Sequence, residues 1–428
     1  MSRPADKNYK WVVLGLLWIA YFLLQGMRQV YNASLPQIRL DFSSLGVTAT
    51  SLGLVGTVFY FVYGLCAPCA SVVADVFRRK TVIVLGCLLL SVGIFLSGFT
   101  STLSLIIVTY GVINALGQSM VPSSSSAVIS EYHEESRSTA LSIYQVANYA
   151  GIILSSLLAG WVGSLGSGMW RWAFWGLGGF GLVWTVVLLV FLREKRETSA
   201  PSAQAADEGP SARAAVLSFF RSPAAILLTL GFAMTMYGDN GYKVWMTTYL
   251  KDAFAETTPA SAAFHAVFWF YVGAFLGISA AGRISDRLSR RFASTRFWTA
   301  AVGLGLSAPC VLLTVKGGSL AGTCVALGLW GFARGIYDSN FFASLYDVVE
   351  PRYRAAATGL FCCGGFVIGS FAPTVLGWIS ERHSMSIGLS SLGGFYLLGA
   401  LFVVAALVAF GRESRSLSAK RPWRPSGR

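Results

Sequence analysis

Apolar residues run through this sequence in long uninterrupted stretches, separated by short segments that hold most of its charges and turn residues. A helix that spans a bilayer needs roughly 20 mostly apolar residues. Strands of a membrane barrel would instead alternate in character over about ten residues, and these stretches do not alternate. The pattern predicts an all-α membrane protein with twelve transmembrane helices, at about 11–33, 50–74, 81–99, 103–129, 139–163, 170–192, 224–248, 264–285, 295–315, 319–346, 355–379 and 387–410.

Charge is scarce and unevenly placed. The 428 residues are 54% hydrophobic and 12% charged, with a mean hydropathy of +0.60, whereas soluble domains carry about 25% charged residues. With twelve spans and both termini on one side, most of the 33 Lys and Arg residues fall on that side, which marks it as cytoplasmic. The net charge of +14 therefore indicates a multi-pass protein of the cell (inner, cytoplasmic) membrane with cytoplasmic termini. We expect the lipid bilayer around it and no nucleic acid partner.

The longest polar interval, 193–222, separates six spans from six and is rich in Ala, Ser, Pro and charge, as flexible linkers are. The parts on either side repeat each other, since "SVVADVFRRK" at 71–80 matches "GRISDRLSRR" at 282–291. Transporters built from two related halves place their substrate site at the interface between them, near the midplane. We predict a six-helix bundle at 1–192, a cytoplasmic linker at 193–222, a second six-helix bundle at 223–411 and a basic cytoplasmic tail at 412–428.

These two decapeptides resemble the signature of the major facilitator superfamily, Gly-x-x-x-Asp-Arg-x-Gly-Arg-Arg, which follows the second helix of each half. The resemblance implies the superfamily fold, twelve helices in two pseudo-symmetric bundles. It also implies that each motif's carboxylate lies near a helix N-terminus, where it is favoured, and pairs with loop arginines until the inner side opens. We therefore expect a gating role for Asp75, Arg79, Asp286 and Arg287.

Five charged residues lie well inside the predicted spans: Arg28, Asp239, Lys243, Arg334 and Asp338. An uncompensated charge at the bilayer centre costs at least about 2.5–3.5 kcal/mol on insertion scales, so such residues usually face a wet cavity or pair with each other. The superfamily resemblance implies that helices 1, 4, 7 and 10 line the central cavity. All five charges lie on three of these helices, which predicts a functional role for them.

Asp239–Lys243 and Arg334–Asp338 are each spaced i,i+4, so each pair shares a helix face. They form either self-neutralising pairs or part of a binding site. The glycines and the asparagine of "GDNG" at 238–241 are expected to loosen the helix and expose backbone groups. A carboxylate in a low-dielectric cavity is a candidate proton carrier, so Asp239 and Asp338 are candidates for coupling. Alternatively, Lys243 keeps Asp239 ionised until a substrate anion competes for the lysine.

Arg28 has no partner one helical turn away, because Leu24 and Asn32 occupy those positions. A guanidinium group binds phosphate or carboxylate through two parallel hydrogen bonds. This unpaired arginine inside a span is therefore predicted to bind an anion.

Short stretches around these charges resemble the organophosphate:phosphate antiporters. In "RQVYNASLP" (28–36) an arginine lies eight residues before a proline, "WMTTYLKDAF" (245–254) resembles the end of their helix 7, and "GQSMVPSSSS" (117–126) resembles their helix 4. However, Asp239 occupies the place of a second phosphate-binding arginine, and Asn148 that of a helix 5 histidine. One certain cation predicts a singly charged anion, a zwitterion or a polyol acid more readily than a doubly charged phosphate.

The expected function is secondary active transport of a small organic anion, an organophosphate or a related carboxylate or polyol acid, by alternating access. The coupling ion is either inorganic phosphate, in antiport, or a proton, in symport. We expect a monomer without cofactor, metal or enzymatic activity. Two alternatives remain: an exporter of amphipathic or cationic compounds that uses Asp239 as its cation site, and a transporter-like sensor of a phosphorylated metabolite. The residues expected to bind substrate are Arg28, Lys243, Asp239, Tyr31, Asn148, Tyr242, Trp245 and Arg334.

Overall fold

The computed structural model describes residues 5–193, 212–289, 291–292 and 294–420, and all of the regular elements in these ranges are helices. The first half holds α1 (Ala5–Asp41), α2 (Ala49–Val76), α3 (Arg79–Ser97), α4 (Leu103–Tyr132), α5 (Arg137–Ser164) and α6 (Trp170–Phe191). The second half holds α7 (Pro223–Ala253), α8 (Pro259–Ser289), α9 (Thr295–Lys316), α10 (Leu320–Asp338 and Phe341–Val348), α11 (Arg354–Gly369 and Ala372–Arg382) and α12 (Met385–Lys420).

Eleven helices in the described ranges are long and apolar enough to cross a membrane, and twelve when α7 and the short helix before it count as one bent span. That short helix, Ala212–Arg221, meets α7 at an angle of 83°. It buries Ala215 and Phe219, which lie one turn apart on the same face. The predicted flexible linker is thus helical in this part, because its apolar residues recur at helical spacing. Residues 194–211 of the predicted linker lie outside the described residues.

Two spans begin at a serine that caps the first turn. The Ser222 hydroxyl accepts a hydrogen bond from the Ala225 N–H at 3.3 Å before α7, and the Ser319 hydroxyl accepts one from the Gly322 N–H at 3.1 Å before α10. Such caps pair backbone donors that have no partner within the helix. Pro223 occupies the first position of α7, where its missing N–H is not needed. These features explain why α7 starts afresh after the bend.

The two halves repeat the same helix pairings. Within them, α1 packs on α5 as α7 packs on α11, α2 on α4 as α8 on α10, and α3 on α6 as α9 on α12. Across the interface, α2 packs on α11, α5 on α8, and α1 on α7. The internal repeat noted in the sequence therefore appears as a repeated packing pattern, with the interface running through the centre of the bundle.

The halves close against each other at the end of the bundle where α1 finishes and α2 begins, here termed the outer end. Arg39 on α1 pairs with Asp252 on α7 at 2.9 Å. The Thr50 N–H on α2 donates to the Glu381 carboxylate on α11 at 2.6 Å. Both contacts join the first half to the second, so they hold the two halves together at this end.

Close backbone contact reinforces this closure between α2 and α11. A Cβ atom on Gly53 would lie 2.2 Å from the Pro373 carbonyl oxygen, so only glycine permits this approach. One turn further along, the hydroxyls of Thr57 and Thr374 are 2.7 Å apart. The outer halves of α2 and α11 are therefore in direct contact without intervening side chains at this point.

Candidate functional site

A cavity of about 280 Å³ lies between the two halves. Its wall comes from α1, α2, α5, α7, α8 and α10, whereas α4 contributes none of the residues around it, contrary to the expectation that helices 1, 4, 7 and 10 line it. All five charges noted inside the spans meet here. The surrounding residues are Tyr21, Gln25, Arg28, Gln29, Tyr63, Asn148, Tyr149, Ile152, Asp239, Lys243, Phe270, Tyr271, Ala274, Ile278, Arg334 and Asp338.

Asp239 is the most heavily bonded of these charges. Its two oxygens accept hydrogen bonds from Nε and Nη2 of Arg334, each at 3.0 Å. Lys243 Nζ lies 3.6 Å from Oδ2, and the Tyr396 hydroxyl donates to Oδ1 at 3.2 Å. Paired parallel bonds between a guanidinium and a carboxylate are among the strongest polar contacts in proteins. Asp239 on α7 is therefore fixed by α10 and α12 as well as by its own helix.

Arg334 serves two carboxylates at once. Besides the fork on Asp239, its Nη1 donates to Asp338 one turn along α10. The Asp338 side chain is 28% exposed, against 8% for Asp239. Both i,i+4 pairs expected from the sequence are thus present, and the cross-helix bond between Asp239 and Arg334 joins them into a single cluster. Two positive and two negative charges make this cluster neutral overall.

The "GDNG" segment does not loosen α7, which is helical without interruption from Pro223 to Ala253. Its first glycine, Gly238, instead allows the ring of Tyr396 to approach α7 closely, because a Cβ at this position would lie 2.5 Å from Cζ of Tyr396. This close approach allows the Tyr396 hydroxyl to bond Asp239. The Asn240 amide donates to the Gly369 carbonyl at 3.2 Å, where α11 is interrupted. The expectation of exposed backbone was wrong, because these small and polar residues serve helix packing.

Arg28 is the one basic residue around the cavity that forms no ion pair among the described residues. Its Nε is buried and has no hydrogen-bond partner there. The guanidinium carbon lies 5.6 Å from the ring centre of Phe59, 5.0 Å from that of Tyr60 and 5.3 Å from that of Tyr63. Aromatic rings attract a cation without neutralising it. Three rings of α2 therefore hold Arg28 in place while its charge remains uncompensated.

Three of the predicted substrate-binding residues lie away from the cavity. Tyr31 and Trp245 are fully buried and donate to backbone carbonyls of α2 and α11, each at 2.8 Å. The Tyr242 hydroxyl donates to a backbone carbonyl of α8. These side chains lie on α1 and α7, which do line the cavity, but each of them faces a neighbouring helix instead of the cavity. Asn148, by contrast, lies on the cavity wall.

The polar residues at the site that sequence reasoning missed include Gln25, Gln29, Tyr271 and Tyr396. Gln25 and Gln29 lie one turn apart on α1 and line the cavity beside Arg28. Polar residues at helical spacing around an intramembrane arginine were a usable signal. Tyr271 and Tyr396 lie on α8 and α12 among many other aromatic residues, so nothing in the sequence distinguished them.

The expected gating motifs lie at the opposite end of the bundle from the closed contacts. Arg79 at the start of α3 pairs with Glu131 on α4, within the first half. Arg287 is exposed near the end of α8. The side chains of Asp75 and Asp286 lie outside the described residues, so the gating role stays a prediction.

The sequence profile of the Major Facilitator Superfamily matches residues 17–373, most of the chain. The chain belongs to the major facilitator superfamily. Its fold agrees, because it aligns over its whole length with the whole chain of a bacterial homologue of the human lysosomal transporter Spinster, crystallised inward-facing and unoccupied, with a TM-score of 0.74 at 21% identity. The superfamily resemblance inferred from the decapeptides and the twelve-helix fold are confirmed.

Curated relatives include transporters named for organic acids. A probable sulfoacetate transporter of Cupriavidus necator is 26% identical over 93% of this chain and 92% of its own length. A D-galactonate transporter of Escherichia coli is 21% identical over 94% of this chain and 95% of its own length. The closer resemblance to organophosphate antiporters remains a prediction.

Proposed function

We propose that this protein is a secondary transporter of small organic acids that carry one strongly anionic group and further hydroxyl or polar groups. Arg28 is the observation that carries this proposal. It is a guanidinium in the wall of a cavity between two halves, held by aromatic rings and free of any carboxylate among the described residues. Such a group binds a carboxylate or sulfonate through two parallel hydrogen bonds.

The charge balance of the cavity favours a monoanion. With both carboxylates ionised, the charges of Asp239, Lys243, Arg334 and Asp338 cancel one another, so Arg28 leaves a net charge of +1 around the cavity. A doubly charged phosphate would require a second free cation, and both candidates are already bonded to Asp239. Organophosphates therefore rank below polyol monocarboxylates as substrates.

The remainder of the cavity suits a small polar molecule. Gln25, Gln29, Asn148 and Tyr149 supply donors and acceptors for hydroxyl groups. A volume of about 280 Å³ lies at the lower limit of ligand cavities, which are roughly 300–1,000 Å³. D-galactonate, for which one relative is named, is a small polyol monocarboxylate of this kind, whereas sulfoacetate, for which the other is named, is a small acid with a second anionic group.

The two-half architecture supports alternating access. The contacts at the outer end close one route to the cavity, and they lie between the halves rather than within them. Rocking of one half against the other would open this end and close the opposite one around a fixed midplane site. In this proposal both termini and the linker are cytoplasmic, in the inner membrane.

Uptake of labelled D-galactonate into proteoliposomes tests the proposal, with unlabelled sulfoacetate, glycerol phosphate, inorganic phosphate and a neutral hexose as competitors. We expect saturable uptake that organic acids inhibit and the neutral hexose does not. Arg28→Lys replaces the planar guanidinium with a point charge. The loss of one charged hydrogen bond to the substrate costs about 1.5–3 kcal/mol. The half-saturating concentration of D-galactonate should therefore rise roughly tenfold or more.

Arg352→Lys is the matched control, because Arg352 is exposed and does not line the cavity, and it should behave as the wild type. Uptake that Arg28→Gln leaves unchanged would contradict the assignment of the anion site. Phosphate exchange that exceeds organic acid uptake would instead favour the antiporter reading.

A further inference from the structure

The two carboxylates of the cavity are held very differently. Asp239 is bonded by the fork of Arg334, by Lys243 and by Tyr396, and only 8% of its side chain is exposed. Asp338 receives its one hydrogen bond among the described residues from Nη1 of Arg334, and 28% of its side chain is exposed. Protonating Asp239 would disrupt contacts with three side chains, whereas protonating Asp338 would weaken its contact with one.

We propose that Asp338 is the proton-binding residue of this cavity, and that its protonation releases Nη1 of Arg334 to the substrate anion. One proton and one anion then travel together. This inference rests on the proposed function and adds to it the coupling ion, the residue that carries it and the reason why the two ligands cooperate. Asp239, which was also a coupling candidate, becomes a fixed support for Arg334.

The groups around Asp338 are consistent with a proton site that senses the anion. Arg334 on its own helix bonds it, and Lys243 and Asp239 on α7 line the same cavity. Nearby positive groups favour the charged form of a carboxylate, and a second carboxylate opposes it. Tyr149 on α5 and Tyr271 on α8 line the same cavity, and Arg28 lies on its α1 wall. An incoming anion would approach the positive groups that favour ionised Asp338. Anion binding therefore promotes protonation, and protonation promotes anion binding.

The step balances in charge and atoms. A proton from water on one side forms an O–H bond to an oxygen of Asp338, and the hydrogen bond from Nη1 of Arg334 is given up. The cavity charge rises from +1 to +2, and a bound monoanion returns it to +1. When the anion leaves on the other side, the proton returns to water there and Nη1 bonds Asp338 again.

Equilibrium binding of D-galactonate across a pH series tests this assignment in the full-length protein. In the wild type, the dissociation constant should rise with pH by up to about tenfold per unit once Asp338 is ionised, as linkage of one proton requires. Asp338→Asn keeps the shape of the protonated group, so it should bind at every pH with the acid-side affinity of the wild type. Asp347→Asn, on the same helix but paired with Arg296 away from the cavity, is the control and should keep the pH dependence.

Transport provides a second readout. A proton gradient with the outside acidic should drive accumulation of D-galactonate by the wild type and not by Asp338→Asn. The variant should still exchange labelled for unlabelled substrate. A wild type that binds independently of pH, or an Asp338→Asn variant with an unchanged pH profile, would overturn the inference and leave the proposed function standing. A wild type that binds no organic anion at any pH would overturn both.

Discussion

Asp239 lies at the junction of three helices, because its partners belong to α7, α10 and α12. In the membrane interior a carboxylate with this many partners stabilises the packing of the helices that it joins. Removing one partner of a buried ion pair is strongly destabilising, because the remaining charge is left uncompensated. The role of Asp239 is therefore testable through stability, independently of transport.

We predict that Asp239→Asn lowers the free energy of unfolding by about 3–5 kcal/mol, as breaking a buried ion pair does. Arg334 loses its charged fork and Lys243 loses its counter-ion. Thermal unfolding in detergent measures the change. The double variant Asp239→Asn/Arg334→Gln removes a charge from each side, and it should be less destabilised than the sum of the single variants by at least about 1 kcal/mol. Additive losses would contradict the pairing.

Sequence reasoning reached the five charges but not their arrangement. The i,i+4 pairs follow from helical spacing alone, whereas Asp239 and Arg334 are separated by 95 positions and meet only through the packing of α7 on its neighbours. The faces of Tyr31 and Tyr242 were wrongly expected toward the cavity for the same reason. Periodicity identifies which residues share a face, but not which neighbour that face meets.

At the scale of helices, the contact between α2 and α11 determines how closely the outer ends approach. A Cβ on Gly53 would lie 2.2 Å and 2.6 Å from the carbonyl oxygen and carbon of Pro373, and 2.9 Å from the Thr374 Cα. All three are backbone atoms, which no side-chain rotation can move aside. An alanine at this position must therefore push the two helices apart.

We predict that Gly53→Ala shifts the protein toward a state with an open outer end. The readout is the rate at which a membrane-impermeant maleimide modifies Thr57→Cys, in a background without the native cysteines. Thr57 is 7% exposed at the closed interface, so separation of α2 and α11 should raise this rate several-fold. Gly15→Ala is the matched control, since nothing lies within 4 Å of the added Cβ there. Equal rates in the two variants would show that this contact does not control access.

For the whole molecule, the helices and the two related halves could be predicted from the sequence, whereas the state in which the halves are closed could not. Continuous apolar runs and the repeated decapeptides were sufficient for the helices and for the two related halves, because lipid forces backbone polar groups to bond within helices. The predicted linker was the exception, since apolar residues at helical spacing make Ala212–Arg221 a helix. The closed outer end was not predictable, because alternate states of such a carrier bury similar residues and differ in contacts such as Arg39–Asp252.

The most direct test of the account is calorimetric titration of the purified protein with D-galactonate, comparing the wild type with Arg28→Lys and Arg28→Gln. Arg28 is the one uncompensated cation around the cavity among the described residues, so affinity should fall in the order wild type, lysine, glutamine. We expect a loss of roughly tenfold or more at the first step and no measurable binding in the glutamine variant. Equal affinity in all three proteins would show that the anion binds elsewhere and would contradict the central claim.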